Sequence, residues 1–248
     1  MQTTIGLLRS LLIYYGNPLQ TRRLRHLYSS LLVPGDLYFD LGAHVGNRVA
    51  AALSCGASVV ALEPNPVLFS FLLHRYGRKP AVTLLQQAAG DHPGQATLFL
   101  SDATPTVSSL SAEWITAVSD QHTFSQVRWN KEITVETTTL DNLISQHGIP
   151  AFCKVDIEGS ELAALNGLST ALPALSFEFL PGLPGDAAAC VRYLESLDTY
   201  EYNWAAGEQF RLQSPVWLTA ADILELLQEQ LTSGKSGDIY ARKITPLS

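Results

Sequence analysis

The sequence predicts an α/β fold: a mostly parallel sheet with crossover helices, a C-terminal antiparallel hairpin and helices in front of it. From residue 36 onward, strand-like apolar stretches alternate with helix-like ones, the pattern of βαβ units. Two of those strands end in punctuation typical of a ligand-binding edge, "YFDLGAHVGN" and "VVALEPNP". With 248 residues, 46% hydrophobic and 16% charged, the chain can bury a sizeable core and is not disordered.

The elements follow in order. "IGLLRSLLIYYG" places Leu8, Leu11, Leu12 and Tyr15 at helical spacing, an amphipathic helix packed on the domain. It lacks a basic start and a cleavage site and is too short to span a bilayer, so neither a signal peptide nor a membrane span is expected. "TRRLRHLYSSLL" is a second helix after the Asn17-Pro18 break. Its Arg22, Arg23, Arg25 and His26 either form a solvated face or meet an anionic substrate or membrane surface. "DLYFDLG" is the first strand, and "RVAAALSCG" a helix ended by Gly56. "SVVALEP" is the second strand, and "PVLFSFLLHRYG" a helix with Pro66 in its first turn and Gly77 past its end. "AVTLLQQAAG" is a third strand, and "QATLFLS" an extra antiparallel one. Residues 101–132, rich in Ser and Thr and holding Trp114 and Trp129, read as a long functional loop or lid. Beyond it come the strand "EITVETTTL", the helix "LDNLISQHG", the strand "AFCKVDIEG", the helix "SELAALNGL", the strand "ALSFEFLP" and the helix "AAACVRYLESL". "TYEYNWAAGEQFRL" is a hairpin turning near Ala206-Gly207, followed by the helix "TAADILELLQEQL" and the strand "GDIYARK". Without repeats or a linker, this gives a helical extension over 1–35 and one domain over 36–248.

The glycine loop excludes two nucleotide classes. A dinucleotide loop needs a second glycine where this chain has His44, whose side chain would crowd a diphosphate. No Gly-Lys-Ser/Thr follows the turn, so it is not a P-loop. A phosphate-free nucleoside needs only one close backbone approach, at Gly42. Glu63 closes the second strand, 21 residues beyond Gly42, where a carboxylate can accept from both ribose hydroxyls; otherwise it starts a turn or caps a helix. Asp40, inside an apolar strand, needs a partner, either a cationic ammonium on the ligand or backbone amides of the turn. Ribose, a cationic amino-acid moiety and no phosphate together describe S-adenosylmethionine.

These residues resemble a known family. "FDLGAHVGN", "ALEPNP", "QAAGD", "KVDIEGSELAALNG" and "FEF" occur in the order and approximate spacing of the FkbM-type methyltransferases. The resemblance covers Asp36 to Glu178 and, more loosely, the segment ending in "GDIYARK"; "KVDIEGSE" is its specific part. It implies a Rossmann-like class I methyltransferase sheet, S-adenosylmethionine as cofactor, and methylation of hydroxyls, often on sugars or natural products. Carried over, Asp40, Gly42, His44, Gly46 and Asn47 would line the methionine end. Glu63 would hold the ribose beside Pro64 and Asn65, and Gln87 and Ala88 would flank the adenine, although many class I enzymes carry an acidic residue near that last position.

"CKVDIEGSE" sets Lys154, Asp156 and Glu158 on one face of a strand, with Glu161 in the first turn of the next helix. A structural reading pairs Lys154 with Asp156 or Asp40 and has Glu158 cap that helix. Methyl transfer to a hydroxyl benefits from a general base. Asp156 is the first candidate, Glu158 and Glu178 the next; Glu178 stands between Phe177 and Phe179 and points away from them. His44 and His122 are alternative bases. The three carboxylates could also hold Mg²⁺, which is possible but not favoured for want of a ligand motif.

The formal net charge of −7 gives no footprint for nucleic acid. Cys55, Cys153 and Cys190 lie too far apart for a zinc motif or disulfide framework, which fits a reducing cytoplasm. The reading is an S-adenosylmethionine-dependent O-methyltransferase of a small-molecule or saccharide acceptor. Its competitors are a nucleotide-dependent oxidoreductase and a non-catalytic S-adenosylmethionine-binding module. Trp114, Trp129 and Trp204 would stack on the acceptor or anchor the core.

Overall fold

The computed structural model describes residues 2–101, 104, 107–119, 127–180 and 184–244. Two helices lead, α1 (Gln2–Tyr15) and α2 (Pro18–Tyr28). Asn17 caps α2 by accepting from the amides of Leu19 and Gln20, with Pro18 as its first residue. Leu24, Leu27 and Tyr28 are its buried face. On α1, Tyr15 anchors to the domain by donating from its hydroxyl to the Val45 carbonyl at 3.1 Å, whereas Leu12 stands 73% exposed.

The βα alternation then appears as expected: β1 (Leu37–Leu41), α3 (Asn47–Ser54), β2 (Ser58–Leu62), α4 (Pro66–Tyr76) and β3 (Val82–Leu85). Next come β4 (Ala88–Ala89), β5 (Gly94–Leu100), α5 (Ala112–Ser119), β6 (Lys131–Thr138), α6 (Leu140–His147) and β7 (Phe152–Val155). The chain closes with α7 (Glu161–Asn166), β8 (Ala174–Phe179), α8 (Pro184–Leu197), β9 (Tyr200–Ala206), α9 (Ala220–Thr232) and β10 (Gly237–Lys243). Among the described residues, seven strands form one sheet in the order β3-β2-β1-β7-β8-β10-β9, parallel except where β10 runs against β8 and β9. The order reverses at β1, the switch point where α/β sheets open a crevice at the strand C-termini.

Three local expectations are refined. The third strand divides: β3 stays in the main sheet, while β4 joins β6 and β5 in a separate three-stranded sheet. Within the expected irregular stretch lies α5, whose Trp114 is 1% exposed. Eight residues among Ser and Thr carry too little periodicity to predict a helix; burial of the indole holds it. The segment after Gly207 makes a short 3-10 turn and returns to bridge Leu218 with Tyr202, so the antiparallel partner of β9 is β10, delivered by α9.

The sheet has two differently built faces. Phe39, Leu41, Cys153, Val155, Phe177 and Phe179 belong to the apolar core under α8 and α9. On the other face, Tyr38, Phe152 and Tyr240 stack in a row, with centroids 5.7 and 6.3 Å apart, and Tyr28 of α2 meets Tyr38 and Phe152 edge-on. Because side chains alternate along a strand, the positions two and four residues farther on that same face are polar: Asp40, Lys154, Asp156, Glu178 and Asp238. Strand alternation thus delivers the charges to the C-terminal edge.

Gly159 follows β7 with a φ of +90°, and a Cβ there would lie 2.2 Å from the Trp114 ring. Gly159→Ala is expected to destabilise the fold by about 2–4 kcal/mol through left-handed strain plus overpacking, seen as a lower urea midpoint. An unchanged midpoint would mean that α5 does not pack here.

Candidate active site

One cavity opens at the switch point, walled by the loop after β1, the end of β2, the β3–β4 connection and the ends of β7 and β8. Gly42, His44, Glu63, Pro64, Gln87, Ala88, Asp156, Glu158 and Glu178 all line it. Residues from five separate parts of the sequence therefore share one space of about 100 Å³.

Gly42 has a φ of +83°, and a Cβ on it would sit 1.9 Å from the Asp156 carbonyl oxygen. Only glycine lets the β1 loop cross the end of β7. The Gly42 and Ala43 amides donate to the Leu62 carbonyl, which ties the loop to β2 as well. This bend turns the His44 amide toward Glu63, to whose carboxylate it donates at 2.8 Å; the Asn65 amide donates to the other carboxylate oxygen at 2.9 Å. Glu63 is 5% exposed, and burial raises its pKa to about 7 against these two stabilising donors. His44 also has a positive φ, 57°, and its buried Nε2 has no hydrogen-bond partner among the described residues. Burial lowers its pKa to about 4, so the ring is neutral at physiological pH, with Tyr14 edge-on at 4.8 Å.

The other four expected cofactor residues stand behind the wall. Asp40 is 1% exposed and accepts from the Tyr38 hydroxyl at 3.0 Å, and its second oxygen has no hydrogen-bond partner among the described residues. Burial lifts its pKa to about 6. Gly46 starts α3 and packs on Tyr76. Asn47 lines a neighbouring cavity with Tyr15, Arg25 and Arg75. Asn65 caps α4 through the Val67 amide and donates to Ser108 at 3.1 Å.

The β7 carboxylates differ in their surroundings. Burial alone would raise the pKa of Asp156, but Lys154 at 3.4 Å and Arg48 at 3.2 Å outweigh it and hold the carboxyl below its usual range. Lys154, 1% exposed, also donates to Asp238 at 2.6 Å, and these two carboxylates keep it charged despite burial. Glu158 and Glu178 form no ion pair with a described residue; burial first, then the charge of Asp156, pushes both well above the usual carboxylate range. Glu158 carries a φ of +54°, and the Ser109 hydroxyl donates to its carbonyl at 2.7 Å. Glu161, rather than Glu158, accepts from the Ile157 and Gly159 amides ahead of α7, and burial brings its pKa to about 7. His122 lies outside the described residues. Among the described residues, no group of three His, Cys, Asp or Glu is arranged to hold a metal ion.

Sequence reasoning missed Arg48, Tyr14, Ser108, Glu208 and the apolar patch of Leu68, Leu98 and Leu110, all on the cavity wall. Arg48 left a trace, as the one cation in the apolar helix behind the glycine loop. Tyr14 and Glu208 reach the site only through long-range packing.

Residues 40–206 match the family model described as the methyltransferase FkbM domain, and the chain belongs to that family. The hexuronic acid methyltransferase AglP of Haloferax volcanii is 27% identical over 149 residues, which cover 57% of this chain and 54% of that protein. The chain thus matches about half the length of this curated relative. Among solved structures, the precorrin-6y C5,15-methyltransferase of Geobacter metallireducens aligns with a TM-score of 0.46 at 14% identity, covering 89% of this chain and 86% of its own. A TehB-like S-adenosylmethionine-dependent methyltransferase of Corynebacterium glutamicum aligns with a TM-score of 0.46 at 10% identity, covering 95% and 94%. No described helix is long and apolar enough to cross a membrane.

Three buried carboxylates set a sign for stability. An acid whose folded pKa is raised binds its proton more tightly when folded, so the stability it adds is lost as pH climbs from the unfolded to the folded value. Asp40 at about 6 and Glu63 and Glu161 at about 7 all act this way, and Glu158 and Glu178 share the direction; His44 opposes them, and so does Asp156, whose lowered pKa acts only at more acid pH. The ligand-free protein is expected to melt at a lower temperature at about pH 7.5 than at about pH 5, with Glu63→Gln reducing the difference. A melting temperature that rises over this interval would contradict the assignment.

Proposed function

We propose that this chain is an S-adenosylmethionine-dependent O-methyltransferase whose acceptor is a hydroxyl on a saccharide or related small molecule. The observation that carries the reading is Glu63, a buried carboxylate facing the cavity between two backbone donors. Each of its oxygens takes one amide and keeps acceptor capacity for a ribose hydroxyl. Pro64, Leu68, Ala88 and Leu98 supply an apolar slot for the adenine, with the Gln87 amide at its edge. The carboxylate of Asp156, kept ionised by Lys154 and Arg48, suits a cationic ligand end, and Asp40 adds negative field from beneath the loop. These features fit the cofactor, whose chemistry is a methyl group on a departing sulfonium.

The protein's contribution is positioning and proton removal. Gly42 and His44 fix the loop, and the rigid ends of β7 and β8 hold the acidic side chains. Asp156, anchored by Arg48 and Lys154, stays ionised and serves as a fixed negative charge rather than the base. Glu158 and Glu178, whose proton affinity burial and the charge of Asp156 raise well above that of an ordinary carboxylate, form the pair that accepts the hydroxyl proton. The saccharide acceptor is supported by the relative named for a hexuronic acid, and the reading requires no metal.

The test is transfer of a labelled methyl group to a panel of saccharides, followed by mass analysis of the product. Glu158→Gln and Glu178→Gln are each expected to slow transfer by about 10²–10⁴-fold while leaving cofactor affinity within error. In the native enzyme the rate should fall as pH drops below the raised pKa of the pair, because a protonated carboxyl cannot take the hydroxyl proton. A rate unchanged down to about pH 5 would rule out the pair as base.

A further inference from the structure

A second, larger cavity of about 740 Å³ lies between α2 and the segment after β9. Leu24, Leu27 and Tyr28 turn α2 toward the core, which leaves Arg22, Arg23 and His26 on its exposed side. Beyond the 3-10 turn at Gly207–Gln209, Arg211 lines the same cavity. Phe210, buried with a φ of +50°, is the peg that fixes that turn. Three arginines and a histidine thus line one concavity from two parts of the chain far apart in sequence, and no acidic residue among the described residues lines it.

None of Arg22, Arg23 and Arg211 forms an ion pair with a described residue, although the protein carries 23 acidic residues and a net charge of −7. A solvated helix face would explain Arg22 and Arg23, but it would not explain a third arginine delivered by a separate, pegged turn. The location adds a further constraint. An intermediate cavity shares Phe210 with this one, and shares Tyr14 and Glu208 with the active-site cavity. The three cavities are therefore neighbours, with Tyr14 and Glu208 on the wall between the first two and Phe210 on the wall between the last two.

We propose that this cavity is an acceptor subsite for an oxyanion, a carboxylate or phosphate on the saccharide, held at a distance from the hydroxyl being methylated. The proposal rests on the methyltransferase reading and deepens it by naming an anionic, extended acceptor. Arginine suits the task because its planar fork binds carboxylate and phosphate in two-point fashion. Attraction in the outer cavity and acidity in the inner one also orient the chain, since an anionic end is repelled from Asp156, Glu158 and Glu178.

The experiment is calorimetric titration of the full chain with three probes: hexagalacturonate, inorganic pyrophosphate and uncharged maltohexaose. Hexagalacturonate is expected to bind, to weaken with salt, and to lose about tenfold per guanidinium contact in Arg22→Ala/Arg23→Ala/Arg211→Ala. Pyrophosphate binding in place of hexagalacturonate, with the same loss in the variant, would support the site with phosphate as its anion. Equal binding of maltohexaose, binding unchanged in the variant, or no binding of either anion would overturn the proposal. Single-stranded RNA binding as tightly as either probe would overturn it in favour of a general polyanion surface. Titrating the native chain and the variant with S-adenosylhomocysteine separates the failures. Loss in the native chain sinks the methyltransferase reading, whereas retention in the variant shows that it is folded and that any lost anion binding is local.

Discussion

The Lys154 ammonium, buried between Asp156 and Asp238, is the interaction on which the site depends. An unpaired ammonium in that position would lose its proton or unfold its surroundings. Its two carboxylates come from different parts of the chain: Asp156 directly follows β7, and Asp238 arrives on β10, 84 residues from Lys154. The pairing therefore joins the centre of the sheet to its antiparallel edge at the level where the strands end. It also fixes the charge state of the cavity. With Lys154 and Arg48 both committed to Asp156, that carboxylate is ionised, and its negative charge adds to burial in raising Glu158 and Glu178.

The aromatic row behind these charges gives them a rigid base. Tyr38 stacks on Phe152 and passes a hydroxyl to Asp40, while Tyr28 meets the Tyr38 hydroxyl at 2.9 Å. Along each strand the same face changes from aromatic to ionic within two residues. Low dielectric beneath and a cavity above make the ionic positions sensitive to one another. The crossing of Gly42 over Asp156 adds the geometric constraint, because it brings the loop after β1 and the acidic strand end into backbone contact.

What could be read directly from the sequence is what local chemistry determines. Strand alternation and glycine punctuation gave the βα order and the loop, and the interval from Gly42 to Glu63 follows from one helix and one strand of ordinary length. Period two accounts for Lys154 and Asp156 sharing a face, but β7 ends at Val155, and Glu158, with a φ of +54°, reaches the cavity from a bend rather than from the strand. The rest depended on contacts between distant segments. Asp156 looked like the best base until Arg48 and Lys154 were found holding it, and no periodicity reveals Arg48 as its partner. Asp40 looked ligand-facing because a strand-end carboxylate next to a glycine turn usually is, yet Tyr38 draws it beneath the loop. The strand after Gly207 was misplaced because β9 finds its partner on β10, across the intervening α9.

The central claim is that the cavity binds S-adenosylmethionine through Glu63. The most direct measurement is calorimetric titration of the full chain with S-adenosylhomocysteine, alongside Glu63→Ala. The account expects binding to the native chain and a loss of about 100-fold in the variant, the consequence of removing two charge-assisted hydrogen bonds. Native binding that Glu63→Ala leaves unchanged would contradict the ribose assignment, and no binding to the native chain would contradict the cofactor itself.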